Sequence, residues 1–164
     1  IRDDNPVIYT ENPGLYATKG EVPTDDPDFS IPMGKARIAV EGTDLTLVAY
    51  SRMVHVCELA AEILEKDGLS VEVIDVRSLL PLDTETIYAS VQKTHRAVVV
   101  YEDWRSGGFG AEIAARIGED CFDWLDAPVG RVGGLNVPTP YSRVLELECI
   151  PNEHDVVEAV RKIG

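Results

Sequence analysis

Short, nearly continuous apolar runs recur along the chain from residue 43 onward, and they predict the strands of a buried sheet. Such runs are typical of strands whose two faces are both covered by other elements. The strands are predicted at residues 45–50, 71–76, 97–101 and 128–132.

Between these runs, apolar residues return every three or four positions, which is the spacing of one face of a helix. Helices are predicted over residues 53–64 with Gly68 as the stop, after Asp83 as N-cap, after the glycines at 107–110, and after Asn152. Strands that alternate with amphipathic helices form βα units. The pattern therefore predicts an α/β fold with three layers, α/β/α, around a mostly parallel sheet.

Residues 1–34 differ in composition from the rest of the chain. They hold five of the ten prolines, and seven acidic against two basic residues. Residues 6–10 are a strand candidate, and the stretch after them is typical of an extended linker. A lone strand cannot satisfy its own hydrogen bonds, so we expect it to pair with a preceding domain or a sheet edge. The chain starts at Ile1 without an initiator Met, and we expect it to be part of a longer one.

The charge balance excludes several classes of partner. Fifteen Lys and Arg stand against 29 Asp and Glu in 164 residues, for a net charge of -14. A nucleic-acid-binding protein needs a basic surface, and an anionic membrane repels an acidic one. We therefore expect no nucleic-acid partner and no membrane, whereas a basic protein partner is compatible with this charge.

No residue pattern in the chain predicts a self-contained active site. The three cysteines, Cys57, Cys121 and Cys149, are too far apart for a C-x-x-C pair, and the three histidines lack ligand spacing. We therefore expect no metal site and no catalytic residue. The cysteines are expected to be free, buried thiols.

A glycine-rich turn follows the predicted strand at 97–101. The run Gly107-Gly108-Phe109-Gly110 opens a helix, which invites a phosphate-binding interpretation. Ile113, however, occupies the place of the last glycine in the dinucleotide pattern G-x-G-x-x-G. We favour the alternative, a tight turn that lets the helix pack closely on the sheet or on another subunit.

Trp104 and Arg105 lie at the carboxyl end of the same strand, the edge where ligands and partners bind in open α/β sheets. Trp and Arg are favoured anchors of protein interfaces. Two interpretations stay open, plain packing and a subunit interface. The residues predicted for the interface are Trp104, Arg105, Gly107, Gly108 and Phe109.

Several stretches together resemble one family. They are Glu41 to Val48, Met53 to Val56, Val71 to Leu79, Pro81 to Ile87, Gly107 to Ile113, Leu125 to Pro128, and Asn136 to Tyr141. Taken in this order, they are similar to the C-terminal portion of the β subunit of thiamine-dependent 2-oxo acid dehydrogenases. The resemblance runs over the whole chain.

The resemblance implies two parts. Residues 1–34 would be the last strand of an upstream pyrimidine-binding domain plus a linker, and residues 35–164 a transketolase C-terminal domain. That domain has a mostly parallel sheet with one antiparallel edge strand. The complete enzyme would bind thiamine diphosphate with Mg²⁺, but both halves of the cofactor site lie outside this chain in the family. We therefore expect no cofactor here.

The resemblance also implies partners. These are the α subunit, a second β subunit in an α2β2 tetramer, and the subunit-binding domain of the lipoyl acyltransferase. The aspartate of the Leu-Asp-Ala-Pro motif, Asp126, and the chain end, Gly164, would contact that basic domain. We expect a cytoplasmic location in a bacterium or an organelle matrix in a eukaryote.

The substrate is implied less sharply. Residues 137–141 look more like pyruvate-type than branched-chain-type sequences. We therefore expect a pyruvate dehydrogenase, active only in its complete form, with branched-chain 2-oxo acid and acetoin dehydrogenases as alternatives. A single-chain transketolase-like enzyme is a further alternative, although the motifs at Asp126 and at residues 137–141 argue against it.

Overall fold

The four predicted apolar runs correspond to four strands of one five-stranded sheet in the computed structural model, which describes residues 3–163. All five residues of β2 are buried, as expected for a strand covered on both faces. The strands are β1 (Arg37–Val40), β2 (Leu45–Ala49), β3 (Val71–Asp75), β4 (Ala97–Trp104) and β5 (Gly130–Gly134). The helices are α1 (Met53–Lys66), α2 (Thr84–Thr94), α3 (Phe109–Asp120), α4 (Arg143–Cys149) and α5 (Glu153–Ile163).

The strand order in the sheet is β1-β3-β2-β4-β5. β2, β3, β4 and β5 run parallel to one another, and β1 pairs with β3 in the antiparallel direction. The expected α/β fold with one antiparallel edge strand is confirmed. Because the four parallel strands point the same way, their carboxyl ends share one edge of the sheet and their amino ends the other.

Two hydrophobic cores cover the faces of the sheet. Leu47 points toward the core that α1 and α5 complete, and Val48 toward the core of α2 and α3. Thr46 is buried on the second face, where its hydroxyl is hydrogen-bonded to Ser90 at 2.7 Å and to Thr94 at 2.6 Å in α2. The three-layer arrangement follows from this alternation along each strand.

The helix boundaries agree with their signals in the sequence. Gly68 has a φ of 87°, which glycine adopts without strain, just after α1 ends. The Asp83 carboxylate accepts a hydrogen bond from the Thr86 amide at 3.3 Å as the N-cap of α2. Asn152 accepts from the amides of His154 and Asp155 at the start of α5.

Residues 6–10 are not paired as a strand in this structure, so their assignment to an upstream domain stays a prediction. These residues form no strand, and Ile8 is 93% exposed. A strand exists only through hydrogen bonds to a neighbour, and no described residue pairs with this segment. The fourth predicted strand begins at Gly130 rather than at Pro128, because proline cannot donate to the ladder.

Two elements carry no clear signal in the sequence, the edge strand β1 and the short helix α4. β1 has only three consecutive apolar residues and none of its four residues is fully buried, so its apolar run is shorter than those of the central strands. α4 leaves three apolar side chains open to solvent, at Val144, Leu145 and Leu147.

Candidate interaction sites at the two edges of the sheet

The structure separates the predicted interaction residues into two sites. Trp104 is the last residue of β4, at the carboxyl edge of the sheet. The Asp126 amide donates a hydrogen bond to the carbonyl of His95, which lies just before β4 at the amino edge. The eight residues of β4, at about 3.3 Å each, span about 26 Å. Trp104 and Asp126 therefore belong to different surfaces.

The carboxyl-edge cleft is an open concavity of about 450 Å³. The end of β4, the turn into α3 and one residue beyond β5 line it: Glu102, Asp103, Trp104, Ser106, Gly107, Gly108, Phe109 and Thr139. Four of the five residues predicted for a subunit interface thus line one cleft. Trp104 is 53% exposed, so half of its surface is free to contact a partner.

The main chain beside this cleft is held firmly. The Arg105 amide donates to the Gly134 carbonyl at 2.9 Å, and the Arg105 carbonyl accepts from the Arg131 guanidinium at 3.2 Å. The Ser106 amide donates to the Asn136 side chain at 3.1 Å. These bonds leave the Arg105 side chain exposed beside a fixed backbone.

The glycines of the turn are explained by close packing on the sheet. A Cβ atom on Gly108 would lie 2.5 Å from the Trp104 carbonyl oxygen. One on Gly110 would lie 2.0 Å from the buried Tyr101 ring. Gly107 has a φ of 82°, which disfavours other residues. The tight-turn interpretation is therefore correct for the helix and the sheet, while the contact with another subunit stays a prediction.

The chemistry of the cleft does not suit a pyrophosphate group. Its charged lining residues, among those described, are the carboxylates Glu102 and Asp103, which repel an anion. Asp103 accepts from the Tyr50 hydroxyl at 2.7 Å, and burial together with this bond raises the pKa of Tyr50. Within residues 3–163, no three His, Cys, Asp or Glu side chains are grouped to hold a metal ion.

We use the name amino-edge surface for His95, Trp124 and Asp126. The His95 carbonyl accepts from the Asp126 amide at 2.8 Å. The Nδ1 atom of His95 donates to the Trp124 carbonyl at 2.9 Å, and the two rings stack at 6.4 Å with 16° between their planes. Trp124 is 48% exposed and the Asp126 side chain is exposed.

The other predicted docking residue, Gly164, lies outside the described residues. Among the residues that are described, no cation forms an ion pair with Asp126. The carboxylate is therefore available to a positive group from outside the chain.

The sequence does not predict that His95 and Trp124 belong with Asp126. Trp124 lies two positions before Asp126, which is a usable signal. His95 lies 29 residues before Trp124, and the pattern of apolar residues does not predict its φ of 60°. Only the packing of α2 beside the loop that leaves α3 brings it to this surface.

The transketolase C-terminal domain family model matches residues 34–156. The chain therefore belongs to the transketolase C-terminal domain family. This agrees with the α/β sheet and its single antiparallel edge strand.

The chain is also similar to curated proteins over nearly its whole length. It is 49% identical to the mitochondrial pyruvate dehydrogenase E1 component subunit beta of Drosophila melanogaster, covering 99% of this chain and 46% of that protein. It is 47% identical to the pyruvate dehydrogenase E1 component subunit beta of Rickettsia felis, covering 99% and 49%. The chain thus spans about half the length of the curated relatives it matches.

Solved structures show the same fold. A split-gene transketolase described as an inactive beta4 tetramer has a TM-score of 0.71 and 31% identity, covering 84% of this chain and 44% of its own. A transketolase from Pichia stipitis has a TM-score of 0.52 and 16% identity, covering 79% and 18%. No helix among residues 3–163 has the length and apolarity that crossing a membrane requires.

Proposed function

We propose that the chain is the C-terminal portion of the β subunit of a pyruvate dehydrogenase. The observation that carries this proposal is the identity of 44% to 49% with proteins of that name, over 99% of the chain. The identity to the split-gene transketolase is lower, at 31%. Pyruvate dehydrogenase is therefore favoured over the transketolase-like alternative.

The complete enzyme decarboxylates pyruvate oxidatively and transfers the acetyl group to a lipoyl arm. Thiamine diphosphate supplies that chemistry when bound, and the protein binds and orients it. We assign no step of the reaction to this domain, since the charged lining of its cleft is acidic. The proposed contribution of residues 35–164 is assembly and docking.

Two surfaces divide these roles. The carboxyl-edge cleft, with the exposed Trp104, would contact another subunit of the α2β2 tetramer. The amino-edge surface would bind the basic subunit-binding domain of the lipoyl acyltransferase, with Asp126 as the acidic anchor. The net charge of -14 favours encounter with a basic partner. The complete enzyme would act in the cytoplasm of a bacterium or in a mitochondrial matrix.

The substrate is tested with the complete enzyme. Full-length β subunit is assembled with its α subunit and given thiamine diphosphate, Mg²⁺, a lipoyl domain and one 2-oxo acid. Mass spectrometry of the lipoyl domain should detect the acetyl group with pyruvate, and much less acylation with a branched-chain 2-oxo acid. Faster acylation by the branched-chain acid, or ketol transfer between sugar phosphates instead, would refute the proposal.

Docking is tested separately with the same assembly. Calorimetric titration with the subunit-binding domain should give binding that weakens as salt rises, because exposed charges are screened. The Asp126→Ala variant should bind about tenfold more weakly, as expected for loss of one close charge pair. Equal affinity of the variant and the wild type would remove Asp126 from the docking surface.

A further inference from the structure

The amino-edge surface contains one residue whose position is not explained by the helix it ends. His95 is the C-cap of α2, and its amide donates to the Val91 carbonyl at 2.8 Å. Its backbone is in the left-handed region, which only a minority of non-glycine residues adopt. Glycine is the usual residue at such a cap. The histidine side chain therefore needs a separate reason.

Three contacts join His95 to the segment from Trp124 to Asp126. Its Nδ1–H donates to the Trp124 carbonyl, its ring stacks on the Trp124 ring, and its carbonyl accepts from the Asp126 amide. The side chain thus fixes one end of the segment, and the main chain fixes the other. A stacked aromatic pair with centroids at 6.4 Å lies within the range where such contacts are favourable.

The segment presents an aromatic ring and a carboxylate close together in the chain. Half of the Trp124 surface is open, and the Asp126 carboxylate has no cation among the described residues. Asp123 adds a second exposed carboxylate next to Trp124. Guanidinium groups pair with carboxylates and also stack on aromatic faces, so arginine is the side chain that this combination fits.

We propose that His95 is a positioning residue that holds Trp124 and Asp126 as one preformed receptor for an arginine of the docking partner. The inference rests on the proposed docking function and adds the residues that organise it. Preformed geometry raises affinity because less freedom is lost on binding. His95 itself need not touch the partner.

The test is a double-mutant cycle in the complete α/β assembly, with the subunit-binding domain of the acyltransferase as the titrant. His95→Gly keeps the left-handed cap but removes the hydrogen bond and the stack. It should weaken binding about tenfold, while His95→Asn, which tolerates the same backbone and can donate, should lose less. In an Asp126→Asn background, His95→Gly should weaken binding less than about threefold.

Ser51→Gly is the matched control, because Ser51 also has a positive φ but lies after β2 at the opposite edge of the sheet. It should leave the affinity unchanged. An unchanged affinity in folded His95→Gly and His95→Asn would overturn the positioning role. So would an equal loss for His95→Gly in both backgrounds, since a general structural effect does not depend on Asp126.

Different results would refute the proposed docking function and the positioning role of His95. No binding by the wild-type assembly would overturn both docking and the role of His95. Weak binding by Asp126→Asn alone, with full affinity in both His95 variants, would support docking and overturn only the positioning role.

Discussion

The Lys93 ammonium group pairs with the carboxylate of Glu72, whose side chain is 1% exposed. Lys93 is in α2 and Glu72 is in β3, so the pair joins a helix to the sheet beneath it. The same carboxylate accepts from the Gly42 amide at 3.3 Å, which holds the turn between β1 and β2. The buried Glu72 carboxylate thus links α2, β3 and the turn between β1 and β2.

Replacing Lys93 with Met should destabilise the chain strongly. The Glu72 carboxylate would stay buried without its cation, which costs about 3 kcal/mol. Urea unfolding followed by circular dichroism measures this loss. The control is Lys162→Met, which removes a solvent-exposed pair with Glu158 and should cost less than about 0.5 kcal/mol. Equal losses would mean that the burial of Glu72 does not matter.

The lowered pKa of Asp83 implies that the stability of the chain falls in acid. Burial by itself raises the pKa of this carboxyl, but hydrogen bonds from Ala36 and Thr86, with Lys35 nearby, outweigh burial and lower the pKa. The unfolded state therefore takes up a proton at higher pH than the folded state. The stabilisation from Asp83 is fully present above the ordinary carboxyl pKa of 3.8. It is lost as the pH falls through the lowered pKa of the folded state.

The Asp83→Asn variant tests this dependence. At pH 7 it should lose about 1 to 2 kcal/mol, because one amide oxygen cannot replace two carboxylate oxygens. The difference from wild type should shrink as the pH falls below 3.8, because the unfolded wild-type chain then binds a proton at Asp83 more readily than the folded chain does. Urea unfolding of both proteins across this range gives the comparison. A difference that stays constant with pH would exclude Asp83 as a source of the acid sensitivity.

Two glycines of α3 should respond in opposite directions to alanine. Gly110→Ala places a Cβ atom 2.0 Å from the buried Tyr101 ring and should destabilise by about 3 kcal/mol. Gly118→Ala meets no atom within 4 Å and should stabilise by about 0.5 to 1 kcal/mol, as helix propensity predicts. Thermal unfolding of the two variants separates packing from propensity. Similar effects would contradict the close approach of α3 to β4.

The two exposed tryptophans should have separable functions. Trp104→Ala, at the carboxyl-edge cleft, should weaken subunit assembly about tenfold or more while docking by assembled enzyme is kept. Trp124→Ala, at the amino-edge surface, should weaken docking and leave assembly intact. Analytical ultracentrifugation reports the first effect and calorimetric titration the second. Loss of assembly in both variants would mean that one surface serves both roles.

The composition of the candidate sites was predictable only in part. Trp104 and the glycine turn lie at the end of a strong apolar strand, as the sequence indicates, and their role in a subunit interface stays a prediction. Asp126 came from the resemblance to the 2-oxo acid dehydrogenases, and its docking role stays a prediction. His95 was not predicted as part of a site, because its contacts with Trp124 and Asp126 join residues that are far apart in sequence.

The sequence by itself determined the central strands, the four longer helices and the caps at Asp83 and Asn152. These features depend on periodicity and on hydrogen bonds between residues a few positions apart. It did not determine the pairing of β1, the burial of Glu72 under Lys93, or the separation of Trp104 from Asp126. Tertiary structure decided these, because each depends on which element becomes the neighbour of another. Which elements pack side by side depends on the whole sheet and its helices, and no local stretch of the chain determines it.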